Sequence, residues 1–142
     1  MPWSWSLVSP EFISEAFVNL ESVDLNQIDL SRDQKMAFFK AITKAPVMKL
    51  KNLKSSSCSL SSISAEHLIH SQAIVRVENV DLQIDPPLTL AQLKVIFLEI
   101  RNSPELRLKT LLLYESSIKK MKKNYPDLFY KVSSMVKIID TR

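Results

Sequence analysis

The stretch LESVDLNQIDL at residues 20–30 places Leu20, Val23, Leu25, Ile28 and Leu30 at steps of 3, 2, 3 and 2. An amphipathic helix asks for steps of three and four, a half-buried strand for steps of two. The mixed spacing fits neither alone. It returns in VENVDL at residues 77–82, where Val77, Val80 and Leu82 keep the same order. A pattern stated twice in one short chain points to internal repetition.

The flanking sequence carries the repetition further. LSRDQKMAFFKAITKAPVMKLKNL (30–53) aligns without a gap on LTLAQLKVIFLEIRNSPELRLKTL (88–111), at a constant offset of 58. Leu30 meets Leu88, Gln34 meets Gln92, Phe39 meets Phe97 and Ile42 meets Ile100. Pro46 meets Pro104, Leu50 meets Leu108, Lys51 meets Lys109 and Leu53 meets Leu111. A third, partial copy follows: SPEFI (9–13) is echoed by YPDLF (125–129), and MVKII (135–139) stands where LESVD (20–24) stood. Each long unit holds two strand signals. They start at Leu20, Leu50, Val77, Leu108 and Met135, at steps of 30, 27, 31 and 27.

This alternation resembles the ribonuclease-inhibitor-like class of leucine-rich repeats, whose template L-x-x-L-x-L-x-x-N/C-x-L is followed by a helix. LKNLKSSSCSL (50–60) supplies Leu50, Leu53 and Leu60, with Cys58 at the N/C position, and LKTLLLYESSI (108–118) supplies Leu108, Leu111, Leu113 and Ile118. The other N/C positions hold Ile28, Asp85 and Ser116, Ser55 replaces an apolar residue, and Pro86-Pro87 is an insertion. The resemblance implies an α/β solenoid of about five short repeats, a single domain over residues 1–142. Residues 1–19 form its N-terminal segment and first helix, and 119–142 a partial terminal repeat. A curved parallel sheet would line the concave side and helices the convex side. Parallel strands need a crossover, and each unit buries its apolar side only against its neighbours.

Helix punctuation fits that layout. Ser31 with Gln34, and Thr89 with Gln92, match capping boxes. Phe38, Phe39 and Ile42 make one apolar stripe, and Ile96, Phe97 and Ile100 its copy. Ser9-Pro10 reads as an N-cap with Pro in the first turn, followed by an inward face of Phe12, Ile13, Ala16 and Phe17. Ser64 reads as a cap ahead of Leu68 and Ile69.

Composition excludes whole classes of chemistry. The chain has no glycine. Phosphate-cradling loops, dinucleotide fingerprints, nucleophile elbows and standard calcium loops need Gly where backbone turns at positive φ or closely approaches a ligand. Cys58 alone supports neither an internal disulfide framework nor a multi-cysteine zinc site. The expectation is a protein without cofactor or metal, and not an enzyme. No leader of basic, apolar and small residues is evident, and no apolar run approaches the ~20 residues of a membrane span. A cytoplasmic location is expected.

Each candidate site has a bland counterpart. His67 and His70 could share a helix face toward a metal, but solvated helix residues are the plainer expectation. Cys58 could be a reactive thiolate, although its turn position already explains it. Trp3 and Trp5 could anchor a partner, or fold over the end of the core. KKMKK (119–123) offers Lys119, Lys120, Lys122 and Lys123 to nucleic acid or an anionic membrane, against the reading of a solvated helix edge. Its aromatic content is too low to favour nucleic acid.

The outward strand positions carry the most information. Glu21, Lys51, Glu78 and Lys109 form one row of alternating sign, and Asp24, Lys54 and Asp81 a second. The second row then turns apolar at Leu112 and Ile139, with Tyr114 nearby. Protein–protein recognition through this face, centred on Asp24, Lys54, Asp81, Leu112, Tyr114 and Ile139, is the expected function. The alternatives are an anionic partner at the basic run, or a fragment of a longer repeat protein. Self-association through the C-terminal end is also expected, because MVKIID would leave a coil flank uncovered.

Overall fold

The computed structural model describes residues 9–25, 30–45, 48–54, 65–83 and 87–140, and only the backbone at residues 32 and 65–68. Trp3, Trp5, Ile28, Ser55, Cys58, Leu60, Ser64, Asp85 and Pro86 lie outside the described residues.

The chain is α/β. Its order is α1 (Pro10–Val18), β1 (Ser22–Asp24), α2 (Arg32–Lys44), β2 (Asn52–Lys54), α3 (Ala65–Ile74), β3 (Asn79–Asp81), α4 (Leu90–Asn102), β4 (Thr110–Leu113), α5 (Glu115–Asn124), α6 (Pro126–Met135) and β5 (Lys137–Asp140). The strands form one open, all-parallel sheet in the order β1-β2-β3-β4-β5. Every strand therefore pairs with the next in sequence after a helical crossover. The first paired residues are Ser22, Asn52, Asn79, Thr110 and Lys137, which keep the steps of 30, 27, 31 and 27.

Strands of three or four residues expose one side and bury the other. Val23, Leu53, Val80 and Leu111 share a buried row and Ile138 continues it half-buried at the β5 edge. Residues just ahead of and behind the strands extend the same core: Leu50, Val77 and Leu108 before, Leu25 and Leu82 after, with Leu113 at the end of β4 in the equivalent place. The helices close it from that side. Phe38, Phe39 and Ile42 of α2, and Ile96, Phe97 and Ile100 of α4, have no exposed surface. Phe38 meets Phe17 of α1 edge-on at 5.6 Å. Phe39 reaches the His70 ring of α3 at 4.7 Å, and Phe97 stacks on Phe129 of α6 at 6.1 Å. The two equivalent phenylalanines thus do the same job, each joining its own helix to a later one.

Both capping boxes form. Ser31 Oγ accepts from Gln34 N while Gln34 Oε1 accepts from Ser31 N, and Thr89 and Gln92 repeat the exchange. Ser9 Oγ accepts from Phe12 N at the start of α1, with Pro10 following.

Three expectations are corrected. Phe12 is not inward: it is 57% exposed, and α1 instead buries Ile13, Ser14 and Phe17. Its buried face is rotated toward Ser14, whose hydroxyl is satisfied by donating to Pro10 O at 2.8 Å. Leu20 is 46% exposed although Leu50, Val77 and Leu108 at the equivalent place are buried. It precedes an edge strand, and among the described residues no further strand lies beyond β1 to cover it. His70 is not a solvated helix residue but a core residue, 2% exposed against Phe39.

Replacing Phe39 or Phe97 by Ala should cost about 3–5 kcal/mol each, because a large ring leaves a cavity in a packed core. Ser31→Ala and Thr89→Ala should each cost only about 1 kcal/mol. Denaturant unfolding of the four variants checks the order. A Phe97→Ala variant no weaker than Thr89→Ala would contradict the shared core role.

Candidate functional site

Among the described residues, nothing covers the side of the sheet away from the helices. None of its outward strand residues is buried, whereas Val23, Leu53, Val80 and Leu111 between them all are. Strand register arranges the outward side chains in two rows. One runs Ser22, Asn52, Asn79, Thr110, Lys137, and the other Asp24, Lys54, Asp81, Leu112, Ile139.

The first row begins as a hydrogen-bonded ladder. Asn79 Nδ2 donates to Asn52 Oδ1 at 2.8 Å, and Asn52 Nδ2 donates to Ser22 Oγ at 3.0 Å. Each amide has one donor and one acceptor side, so identical groups one strand apart can chain. The sequence carried a signal for this ladder in the polar residue after each charged one (ES, KN, EN, KT), but charge drew the attention instead.

The second row contains five of the six expected recognition residues. Asp24 and Asp81 are half-buried, Lys54 is exposed, and Leu112 and Ile139 are paired neighbours, both half-buried. Asp81 has a structural duty as well: its Oδ1 accepts from Gln83 N at 2.8 Å and holds the turn after β3. Tyr114 is not in the row. It is the N-cap residue of α5, its side chain makes no capping bond, and its carbonyl accepts from Ser117 N and Ile118 N. A shallow depression of about 310 Å³ lies over the first three strands and extends to Leu112.

The row ahead of the strands, Glu21, Lys51, Glu78 and Lys109, is stacked by backbone bonds: Lys51 N and Asn52 N to Glu21 O, Asn79 N to Lys51 O, Lys109 N and Thr110 N to Glu78 O. Lys109 Nζ sits 2.9 Å from Glu78 Oε1. The hydrogen bond from Lys109 and then its charge hold the Glu78 carboxyl below the usual carboxylate range, opposed by slight desolvation and helped by Lys51.

The basic run lies on α5. Lys119, Lys120, Lys122 and Lys123 are exposed while Met121 between them is buried. Lys119 pairs with Glu115 at 3.0 Å, and Lys122 Nζ lies 5.4 Å from the centre of the Phe129 ring. Lys94 of α4 lies 4.7 Å over Tyr125. His67 contributes only backbone to the described structure, and His70 points to no metal site: among the described residues no group of three His, Cys, Asp or Glu comes together. No helix among them is long and apolar enough to cross a membrane.

No protein-family profile, curated protein or solved structure matches this chain.

A lowered folded-state pKa at Glu78 contributes stability above the unfolded pKa, and that contribution is lost as pH falls through the folded value. Lys109→Ala should therefore melt slightly below the wild type at pH 7. The two should converge once the carboxylates are protonated, and also at high salt, since the pair is solvent-exposed. Thermal melts across pH check this. A gap that persists in strong acid would assign the effect to packing of the Lys109 stem.

Proposed function

We propose that the chain is a non-catalytic, leucine-rich-repeat-like solenoid that recognises another protein through the open face of its sheet. The strand spacing of 30, 27, 31 and 27 and the strictly sequential sheet support the solenoid reading. Stacked strand–helix units of that order curve with the strands inside, because helices are wider than the ~4.8 Å strand spacing. The recognition reading rests on one observation: a five-strand face with no covering layer among the described residues, graded from a hydrogen-bonded polar ladder to the apolar pair Leu112 and Ile139. Polar rows fix orientation, and a small apolar patch at one end is the part that gains most by being covered. The glycine-free sequence supports a surface that acts through side chains alone.

The same Leu112 and Ile139 make self-association at the β5 end one form of this recognition. The basic face of α5 is the weaker alternative, because Lys119 and Lys122 already have partners within the chain.

Photo-crosslinking tests the proposal. A benzophenone side chain at Lys54 or Tyr114 should capture a defined protein, whereas one at Lys40 on the helix layer should not. Leu112→Lys with Ile139→Lys should weaken capture by about tenfold while leaving the melting temperature nearly unchanged, since both residues are already half-exposed. Capture should survive about 0.5 M salt, which would disrupt an interface built on phosphate contacts. Crosslinks confined to the helix layer would overturn the assignment.

A further inference from the structure

The depression over the first strands is a trough between two rows, and its two walls differ in chemistry. Asn52 and Asn79 stand on one side, and Lys54, Asp81 and Leu112 on the other. Ile139 of β5 is the register partner of Leu112 and continues the second wall.

The charged wall is not neutralised by ion pairs of its own. On the row ahead of the strands Lys109 reaches Glu78 at 2.9 Å. Lys54 and Asp81 are likewise register partners, yet among the described residues neither forms an ion pair. The Lys54 side chain is exposed and has no partner there. Asp81 commits Oδ1 to Gln83 N, a neutral donor, so its carboxylate has no cation in contact.

The amide wall has bonding capacity left as well. Asn52 donates one N–H to Ser22 and accepts one bond from Asn79, and Asn79 donates one N–H to Asn52. A carboxamide has two N–H groups and two acceptor positions. Asn52 therefore keeps one of each, and Asn79 keeps one donor and both acceptor positions. A donor beside an acceptor matches a peptide unit, which carries the same two groups.

We propose that the trough holds an extended peptide segment of a partner protein, laid across the strands. Charge complementarity sets an acidic side chain on Lys54 and a basic one on Asp81, and an apolar one then covers Leu112 and Ile139. This inference rests on the open-face reading and names the kind of partner that face takes. Strands lie ~4.8 Å apart, so β2 to β5 spans about 14 Å. In an extended chain residues i, i+2 and i+4 point to one side and cover about the same length, at ~3.4 Å per residue. The partner motif is therefore acidic-x-basic-x-apolar. A helix can place side chains at similar intervals, but its N–H and C=O groups are bonded within itself. It would leave the remaining amide groups of Asn52 and Asn79 without partners, whereas an extended segment brings its own peptide groups to them.

The probes are two fluorescein-labelled nonapeptides, Ser-Ser-Glu-Ser-Lys-Ser-Leu-Ser-Ser and the same sequence reversed, since the amide ladder accepts either direction. Binding is followed by anisotropy at about 0.1 M salt. One of the two should bind saturably. Lys54→Glu should weaken it by about fivefold or more, and replacing the peptide's Glu by Lys should restore it. Lys40→Glu on the helix layer should alter neither affinity by more than about twofold. Asn52→Ala with Asn79→Ala should cost about fivefold, with melting curves confirming that the variants fold. N-methylation of the peptide's Lys and Leu nitrogens should cost as much, and it leaves the protein untouched. The proposal is overturned if neither peptide saturates, if the exchanged peptide does not rescue Lys54→Glu, or if the N-methylated peptide binds as well as its parent. Photo-crosslinking at Lys54 that captures a protein while neither peptide binds would sink the motif and leave the open-face reading standing.

Discussion

Everything in this fold depends on the register between very short parallel strands. Each strand contributes one central residue to the buried side: Val23, Leu53, Val80, Leu111 and, half-buried, Ile138. A slip of one residue would turn that row outward and drive Asp24, Lys54 and Asp81 into the core. Three or four backbone residues per strand cannot resist such a slip by themselves. The resistance comes from the side chains around them. Leucines before and after the strand widen the apolar footprint, while the Ser22–Asn52–Asn79 ladder and the Glu78–Lys109 pair match only in this register.

That dependence explains what could be read in the sequence. The 3-then-2 apolar spacing belongs to a segment that enters a strand and leaves it within six residues, so strand positions, register and the Asp24–Lys54–Asp81–Leu112–Ile139 row were all legible. The capping boxes were legible because they need only residues three apart. Phe12 and Leu20 were misjudged for a different reason. Their burial depends on what lies beside α1 and β1, and periodicity describes an element without its neighbours. His70 looked polar on paper, yet its ring fills the space next to Phe39, as an aromatic would.

The lack of glycine shapes the joints as well as the chemistry. Helices often stop at a glycine in the left-handed region. Here α2 and α4 stop at Ala45 and Ser103, both extended, at φ −69°, ψ 119° and φ −73°, ψ 120°. An extended exit leaves helix carbonyls in need of donors, and at α2 one is supplied from a distance by Arg76, 31 residues on. A tertiary contact thus replaces a local turn.

The candidate surface follows from that economy of means. Backbone cradles are absent in their standard forms, so any ligand must be met by side chains, and register decides which side chains stand together. Across the open face it chains the side chains of Ser22, Asn52 and Asn79 by hydrogen bonds, sets Asp24, Lys54 and Asp81 side by side, and ends that second row in the apolar pair Leu112 and Ile139.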